Sequence, residues 1–458
     1  MRLLLQLPLA LLPAVLACAA GPLPIDPLWK SETFRRSITA SYGIDSRIEP
    51  RITEDEAFYL DESAKAMAAN DRAKAIQILR DSTLLAKSPA MLFTLASLRF
   101  EAGETEESVK DFESALAQFP NFRDAHRNYA VVLVQTEKLE KAKSHLIRAL
   151  ELGAQDGVTA GLLAYCHARE GHHQPALDAY RLALITQPDE SQWKLGEAQA
   201  LLALERPREA AGILQSLLEK NPAEISNWLI QADAWIGLER ELPAAANLEI
   251  VHRTGALDSN STLSLGHLYL QNGLPDLALE RYRAAISAPE PAPVGRAVEA
   301  LEMFLSVADW ARGQEFAALL DGTAAYAGAF NPDTGDKSLV SRLTRTRAMI
   351  ELETGDAATG AKRVEEWLRR EPLDGPALLL LARFREESGQ RVEAEMLLEQ
   401  AARIPESAAS AHLARGRILV ATSDYENAIE HLEKSQELNP TDALAEYIAA
   451  IRELSEAR

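Results

Sequence analysis

The feature that most constrains this chain is a small residue that returns every 34 positions, at Ser108, Ala142, Ala176, Ala210, Ala244 and Ala278. A spacing held over five successive steps marks one supersecondary unit copied along the chain rather than a single globular core. The clearest copy is 157–188, GVTAGLLAYCHAREGHHQPALDAYRLALITQP. Within it Leu163, Ala164 and His167 share one helical face, Gly171 ends that helix, and Ala176, Tyr180 and Ala183 share a face of a second. The unit is therefore a helical hairpin, and the small residue stands where its two helices must touch. A Leu at Ala176 is expected to overpack that contact, whereas the nearby Ala179 is expected to leave room.

The length of 458 residues agrees with this reading, because one core stops growing well short of it and the mass must be divided into domains or into a stack of units that touch only their neighbours. The stack is the solution that the period selects. At 47% hydrophobic and 25% charged, rich in Ala, Leu, Glu and Arg, the composition suits helices, and no strands are expected. With 68 acidic against 48 basic residues the formal charge is −20, which opposes nonspecific attraction to nucleic acid or anionic lipid. Nucleic acid is excluded as a partner on that ground.

The same residues carry a family resemblance. Leu265, Gly266, Tyr269, Gly273, Ala278, Tyr282 and Ala285, and again Leu95, Ala96, Gly103, Phe112, Ala115 and Pro120, resemble the tetratricopeptide repeat. The resemblance implies an all-α, right-handed superhelical solenoid of about ten to eleven hairpins, closed by a C-terminal capping helix, that binds other proteins.

In chain order, 1–19 reads as an export signal: Arg2, an apolar run from Leu3 to Leu16, then small residues. Two processing routes fit. Ala17-Cys18-Ala19 suits ordinary cleavage, whereas Val15-Leu16-Ala17-Cys18 is similar to a bacterial lipobox, which would make 1–17 a lipoprotein signal and Cys18 a lipidated residue. The mature chain is expected in the periplasm, as a soluble protein or as an outer-membrane lipoprotein, with no transmembrane span after signal removal. The other cysteine, Cys166, reads as a packed thiol.

Residues 20–55 form an N-terminal arm or cap, with Trp29, Phe34, Tyr42 and Ile48 expected to cover the open end of the first hairpin or to dock elsewhere. Seven units fill 56–292. Gly103, Gly171 and Gly273 make three of their turns; Glu137, Glu205 and Glu239 stand where Gly is missing, and those turns are expected to differ. Trp228 and Trp235 are expected to be core between units. Residues 293–340 read as a degenerate helical unit with helices meeting near Asp309-Trp310, followed by a loop insertion at 322–337 that is expected to act as a bend or hinge. Three regular units occupy 341–442, and 443–458 is the capping helix.

No catalytic signature stands out, and the repeats leave no room for a separate enzyme domain, so neither an enzyme nor a cofactor is expected. His172-His173 beside Glu170 shows no third ligand in sequence and reads as a solvated turn, so no metal site is expected. Function is then left to the groove. The resemblance assigns to it Phe93, Ser97, Phe100, Arg127, Asn128, Gln135, Tyr165 and Arg169 in the first half and Arg342, Arg345, Arg383 and Arg417 in the second. Arginines collected on an acidic protein suit carboxylate partners, that is, acidic proteins or peptides. The matched lysines with which chaperone-binding members clamp a terminal carboxylate are absent. Carbohydrate binding by groove aromatics is a minor alternative. Asp26-Pro27-Leu28-Trp29-Lys30-Ser31, Ser41-Tyr42-Gly43-Ile44 and Glu49-Pro50-Arg51 also resemble the lead-in of repeat proteins found with bacterial TonB and ExbB/ExbD-type components, which implies an accessory role in energised outer-membrane transport.

Overall fold

The computed structural model describes residues 45 and 47–456, apart from 327, 332 and 334. The described residues form 23 α-helices, two short 3-10 turns and no strand. Two compact units divide them, one ending at Arg253 and the other beginning at Thr254. The signal segment with Cys18, most of the arm with Trp29, Phe34 and Tyr42, and the lead-in motifs up to Ile44 lie outside the described residues.

The first unit holds six hairpins: α1 (Glu54–Ala68) with α2 (Arg72–Arg80), α3 (Pro89–Glu101) with α4 (Thr105–Gln118), α5 (Arg123–Gln135) with α6 (Leu139–Glu151), α7 (Gly157–Arg169) with α8 (His173–Thr186), α9 (Ser191–Ala203) with α10 (Pro207–Lys220), and α11 (Ile225–Ile236) with α12 (Glu241–Arg253). The second holds five more and a last helix: α13 (Ser259–Gln271) with α14 (Pro275–Ile286), α15 (Val294–Ser306) with α16 (Trp310–Gly322), α17 (Lys337–Glu353) with α18 (Ala357–Leu368), α19 (Gly375–Glu387) with α20 (Arg391–Ala402), α21 (Pro405–Ala421) with α22 (Tyr425–Leu438), and α23 (Asp442–Glu456).

The small residues do what their spacing requires. Ser108, Ala142, Ala176, Ala210, Ala244 and Ala278 are each fully buried, and Ser108 satisfies its hydroxyl by donating to the Ala96 carbonyl at 2.7 Å across its hairpin. Ala179 departs from expectation: it is only 9% exposed, because α8 packs on α9 as well as on α7.

The turns also depart. Glu137, Glu205 and Glu239 take φ near +56, the same left-handed region as Gly103 at φ +84. Their hydrogen bonds match as well: Lys138 N–H donates to the Leu133 carbonyl at 2.8 Å as Glu104 N–H donates to that of Arg99 at 2.9 Å. These turns therefore do not differ; the stacked hairpins hold each glutamate in a strained backbone that costs about 1 kcal/mol.

Trp228 and Trp235 are only partly buried, with Trp228 Nε1 donating to the Pro222 carbonyl at 2.9 Å and Arg240 lying 4.9 Å over the Trp235 ring. The stripe that α11 buries is Asn227, Ile230, Gln231 and Ala234, and of the two tryptophans Trp235 packs against the core beside it. Among the described residues the tryptophan fully buried is Trp193, on α9, packed against the helical Gly161 of α7.

In the second unit 294–322 is a regular hairpin shifted by one residue. Ala308 takes φ +55 to make the turn, and Gly313 supplies the small position, with Ile350 and Phe304 close to where its Cβ would stand. The ring of Tyr282 lies 5.4 Å from both Phe304 and Phe316 and fuses this hairpin to α14. The insertion is anchored at its start, since Tyr326 is 2% exposed and its hydroxyl donates to the Ala292 carbonyl at 2.7 Å. At the far end Leu444, Ile448 and Ile451 of α23 cover Leu432 of α22, which is the cap.

Of the arm, residues 45 and 47–55 are described, and Ile48 and Glu49 make its contact with the array. The Arg123 amide donates to the Ile48 carbonyl at 3.1 Å and its guanidinium to the buried Glu49 carboxylate at 2.8 Å. That contact ties the arm to α5, in the third hairpin of the unit.

Candidate partner-binding groove

The first helix of each hairpin carries the residues that the repeat pattern assigns to a binding face. In the first unit packing withdraws several of them. Phe93 is 1% exposed, with ring centroids 4.8 Å from Phe122 and 6.1 Å from Phe112. Ser97 and Asn128 are buried, and Asn128 donates to the Ser97 hydroxyl at 3.4 Å. Phe100 is half-buried on the same core. These four set the spacing of α3 and α5 and present little or nothing to a partner.

The polar groups beside them are more open. Arg127 pairs with Asp156, the N-cap of α7, at 3.2 Å. The Tyr165 ring is buried, and its hydroxyl accepts from Arg169 at 2.8 Å. Arg169 itself is exposed, its guanidinium 5.8 Å over that ring, so one face of the cation is held while the other meets water. Gln135 is exposed at the end of α5.

In the second unit the arginines gather, but most have a carboxylate of their own. Arg342 grips Glu302 with both Nε and Nη2, at 3.0 and 2.5 Å. This bidentate pair is the strong form of the contact, and the partner carboxylate raises the arginine's affinity for its proton. Arg345 reaches Asp374 at 3.1 Å. Asp374 also takes the Trp367 indole N–H at 2.7 Å, the Ala377 amide at 3.0 Å and the Ser341 hydroxyl. Burial opposes ionisation of Asp374, and these donors outweigh it and hold its carboxyl below the usual range. Arg383 lies between Glu353 at 3.0 Å and Glu387 at 2.9 Å.

Arg417 is different. It is exposed on α21 with no ion pair among the described residues, and it borders a cavity of about 210 Å³ lined also by Ser410, Leu413, Asn439, Thr441 and Tyr447. Sequence reasoning found Arg417 but not the cavity, which needs α22 and α23 in place. It also missed two histidine pairs at one position of the repeat: His126 and His145, Nδ1 to Nδ1 2.8 Å, and His412 and His431 at 3.1 Å. The common separation of 19 residues was the available signal. Burial pushes His145 down to about 4.

Among the described residues no helix is long and apolar enough to cross a membrane. Residues 99–166 match a tetratricopeptide repeat model, and residues 409–442 match another of the same description. No curated protein matches the chain. Similar solved structures include a tetratricopeptide repeat protein from Parabacteroides merdae, 17% identical over 54% of this chain and 98% of that one, TM-score 0.36. Two others are MamA, 18% identical over 36% and 91% with TM-score 0.33, and YrrB, described as a TPR protein with an unusual peptide-binding site, 16% identical over 41% and 89% with TM-score 0.35. Residues 99–166 and 409–442 are thus matched as tetratricopeptide repeats, and paired helices flank both matched segments.

Proposed function

We propose that the protein is a non-enzymatic scaffold that holds protein or peptide segments on the first helices of its hairpins. The observation that carries this reading is Arg417: an exposed guanidinium without a carboxylate of its own, bordering a cavity large enough for a side chain. Arg169 and Gln135 offer similar open groups in the other unit. A partner that presents carboxylates fits the two arginines. The export signal read at 1–19 supports a place in the bacterial cell envelope, with Cys18 as its lipid anchor where the lipobox is used; an accessory role beside TonB-type components belongs to the same reading and rests only on the lead-in residues.

The test is photo-crosslinking in intact cells, with the reactive side chain placed in turn at Arg417, Gln135 and Gln215, the last being exposed on the second helix of its hairpin. Discrete adducts from Arg417 and Gln135 and none from Gln215 are expected, and Arg417→Ala should weaken capture of the same partner. Adducts confined to Gln215 would place the binding face on the other helices. Fractionation of wild type and Cys18→Ser addresses the anchor separately, since loss of an acyl chain releases the protein from the membrane pellet.

A further inference from the structure

The turn between α7 and α8 gathers three metal-ligating side chains that the binding face does not use. His167 and Glu170 stand three apart at the end of α7 and so share a face. Gly171 then takes φ +78, and the His172 amide donates back to the His167 carbonyl at 2.9 Å, which folds His172 over that face. One ligand atom from each of His167, Glu170 and His172 lies within 4.8 Å of the other two.

Two polar atoms at this spot are buried without a hydrogen-bond partner, His167 Nδ1 and Glu170 Oε1. Buried polar atoms are nearly always satisfied, so two unpartnered ones on neighbouring metal-ligating side chains call for an explanation. The other carboxylate oxygen is already held: Glu170 Oε2 takes Lys143 Nζ of α6 at 2.5 Å and His172 Nδ1 at 3.2 Å. Lys143 thus orients the carboxylate as an outer-shell partner orients a ligand, with the second oxygen left over.

We propose that this turn binds one divalent transition-metal ion of the zinc class through His167 Nδ1, Glu170 Oε1 and the His172 imidazole. Two imidazoles and one carboxylate suit zinc and its neighbours rather than calcium or magnesium, which take oxygen ligands throughout. Ligand atoms about 2.0–2.2 Å from a tetrahedral ion stand about 3.3–3.5 Å apart, so the three must close by about 1 Å. The side chain of His172 is 58% exposed and has room to swing, while that of Glu170 is 15% exposed and held in place. Lys143 brings one positive charge to the spot against the two carboxylates of Glu140 and Glu170, which leaves the surroundings negative before the ion enters. Three protein ligands leave a fourth position for water or for a donor atom of a docked protein. The sequence hides this site because His167 lies on the helix before the turn, outside the run that holds Glu170, His172 and His173.

The test uses the untagged full chain, stripped of metal and titrated with Zn²⁺ against a fluorescent zinc chelator. One tight site per chain is expected, weakened at least tenfold by His172→Ala and by Glu170→Gln and unchanged by His173→Ala. His172 is exposed, so its variant keeps the helicity and melting temperature of the metal-free wild type and reports ligation alone. Co²⁺ should give the absorption bands of a tetrahedral site, and His172→Ala should abolish them. Failure to bind Zn²⁺ tightly would overturn the proposal. So would a tight site that survives both variants, or one that is lost instead in His126→Ala or His412→Ala.

Discussion

Gly161 and Gly212 both sit inside helices, α7 and α10, and the structure gives Ala a different outcome at each. A Cβ on Gly212 meets nothing within 4 Å, so Gly212→Ala should show only the intrinsic helix preference, a gain of about 1 kcal/mol. A Cβ on Gly161 would stand 2.4–2.6 Å from Cε2, Cζ2 and Cδ2 of Trp193. Carbon atoms rest about 3.5–4.0 Å apart, so the ring must retreat by about 1 Å. It has little freedom to do so, because Trp193 is fully buried, its indole N–H is bonded to Gln187 at 2.9 Å and Tyr180 lies 6.3 Å away. Overpacking costs about 1–3 kcal/mol, and against the same helix gain of about 1 the net is a loss of up to about 2. Urea denaturation followed by circular dichroism should move the midpoint down for Gly161→Ala and up for Gly212→Ala. Trp193→Phe, which shortens the ring, should shrink the penalty of Gly161→Ala in a double-mutant cycle. If both glycine variants raise the midpoint alike, the contact between α7 and α9 does not have the closeness described.

Glu205→Gly should stabilise the chain by about 1 kcal/mol, because glycine takes the left-handed φ of +56 without strain; an unchanged or lower melting temperature would argue against a strained turn. Burial pushes the Asp233 carboxyl up to about 8, so the folded chain keeps a proton there that the unfolded chain loses near 3.8. The contribution is complete below about pH 4 and is lost as pH rises to 8, and at roughly 1.4 kcal/mol per pH unit Asp233→Asn should stabilise by several kcal/mol at pH 9 and by little at pH 4. Equal effects at both pH values would remove that reading. Limited proteolysis should cut within 328–336, where most described positions are exposed, and Tyr326→Ala should speed it at least tenfold by freeing the anchor. The nicked chain should keep its helicity, since Tyr282, Phe304 and Phe316 hold the hairpin before the cut; two separated fragments would show the insertion to be a true hinge.

The hairpins were legible because each depends on one small residue at a fixed distance, and burial at Ala142, Ala176 and Ala210 enforces that distance. Besides the cavity and the histidine clusters, three things were hidden. A search at fixed register skips 294–322, because Ala308 and Gly313 stand one place late and a left-handed Ala gives no warning in sequence. The buried stripe of α11 escaped notice because Asn227 and Gln231 are polar. Gln231 is acceptable there because it accepts from Asn247 at 2.9 Å and donates to Gln215 at 3.2 Å, partners on two other helices. The arginines of the candidate site were visible as residues, but whether each is free depends on carboxylates 29 to 40 positions away.

Those carboxylates explain why Arg417 stands apart. Arg342 pairs with the first helix of the hairpin before it, Arg345 with the N-cap of α19 in the hairpin after it, and Arg383 with Glu353 on the hairpin before. Each pair links neighbouring hairpins, so most of the positive charge collected on this face fixes the array itself. The residue that corresponds to Glu353 one repeat later is Glu387, and Arg383 holds it within its own helix. Arg417 therefore has no carboxylate left at the matching position. A partner's carboxylate must compete with an internal one at Arg342, Arg345 and Arg383, whereas at Arg417 it displaces only water. On the function proposed above, selectivity for an acidic segment would therefore concentrate at the last hairpin, beside the cavity lined by α21, α22 and α23.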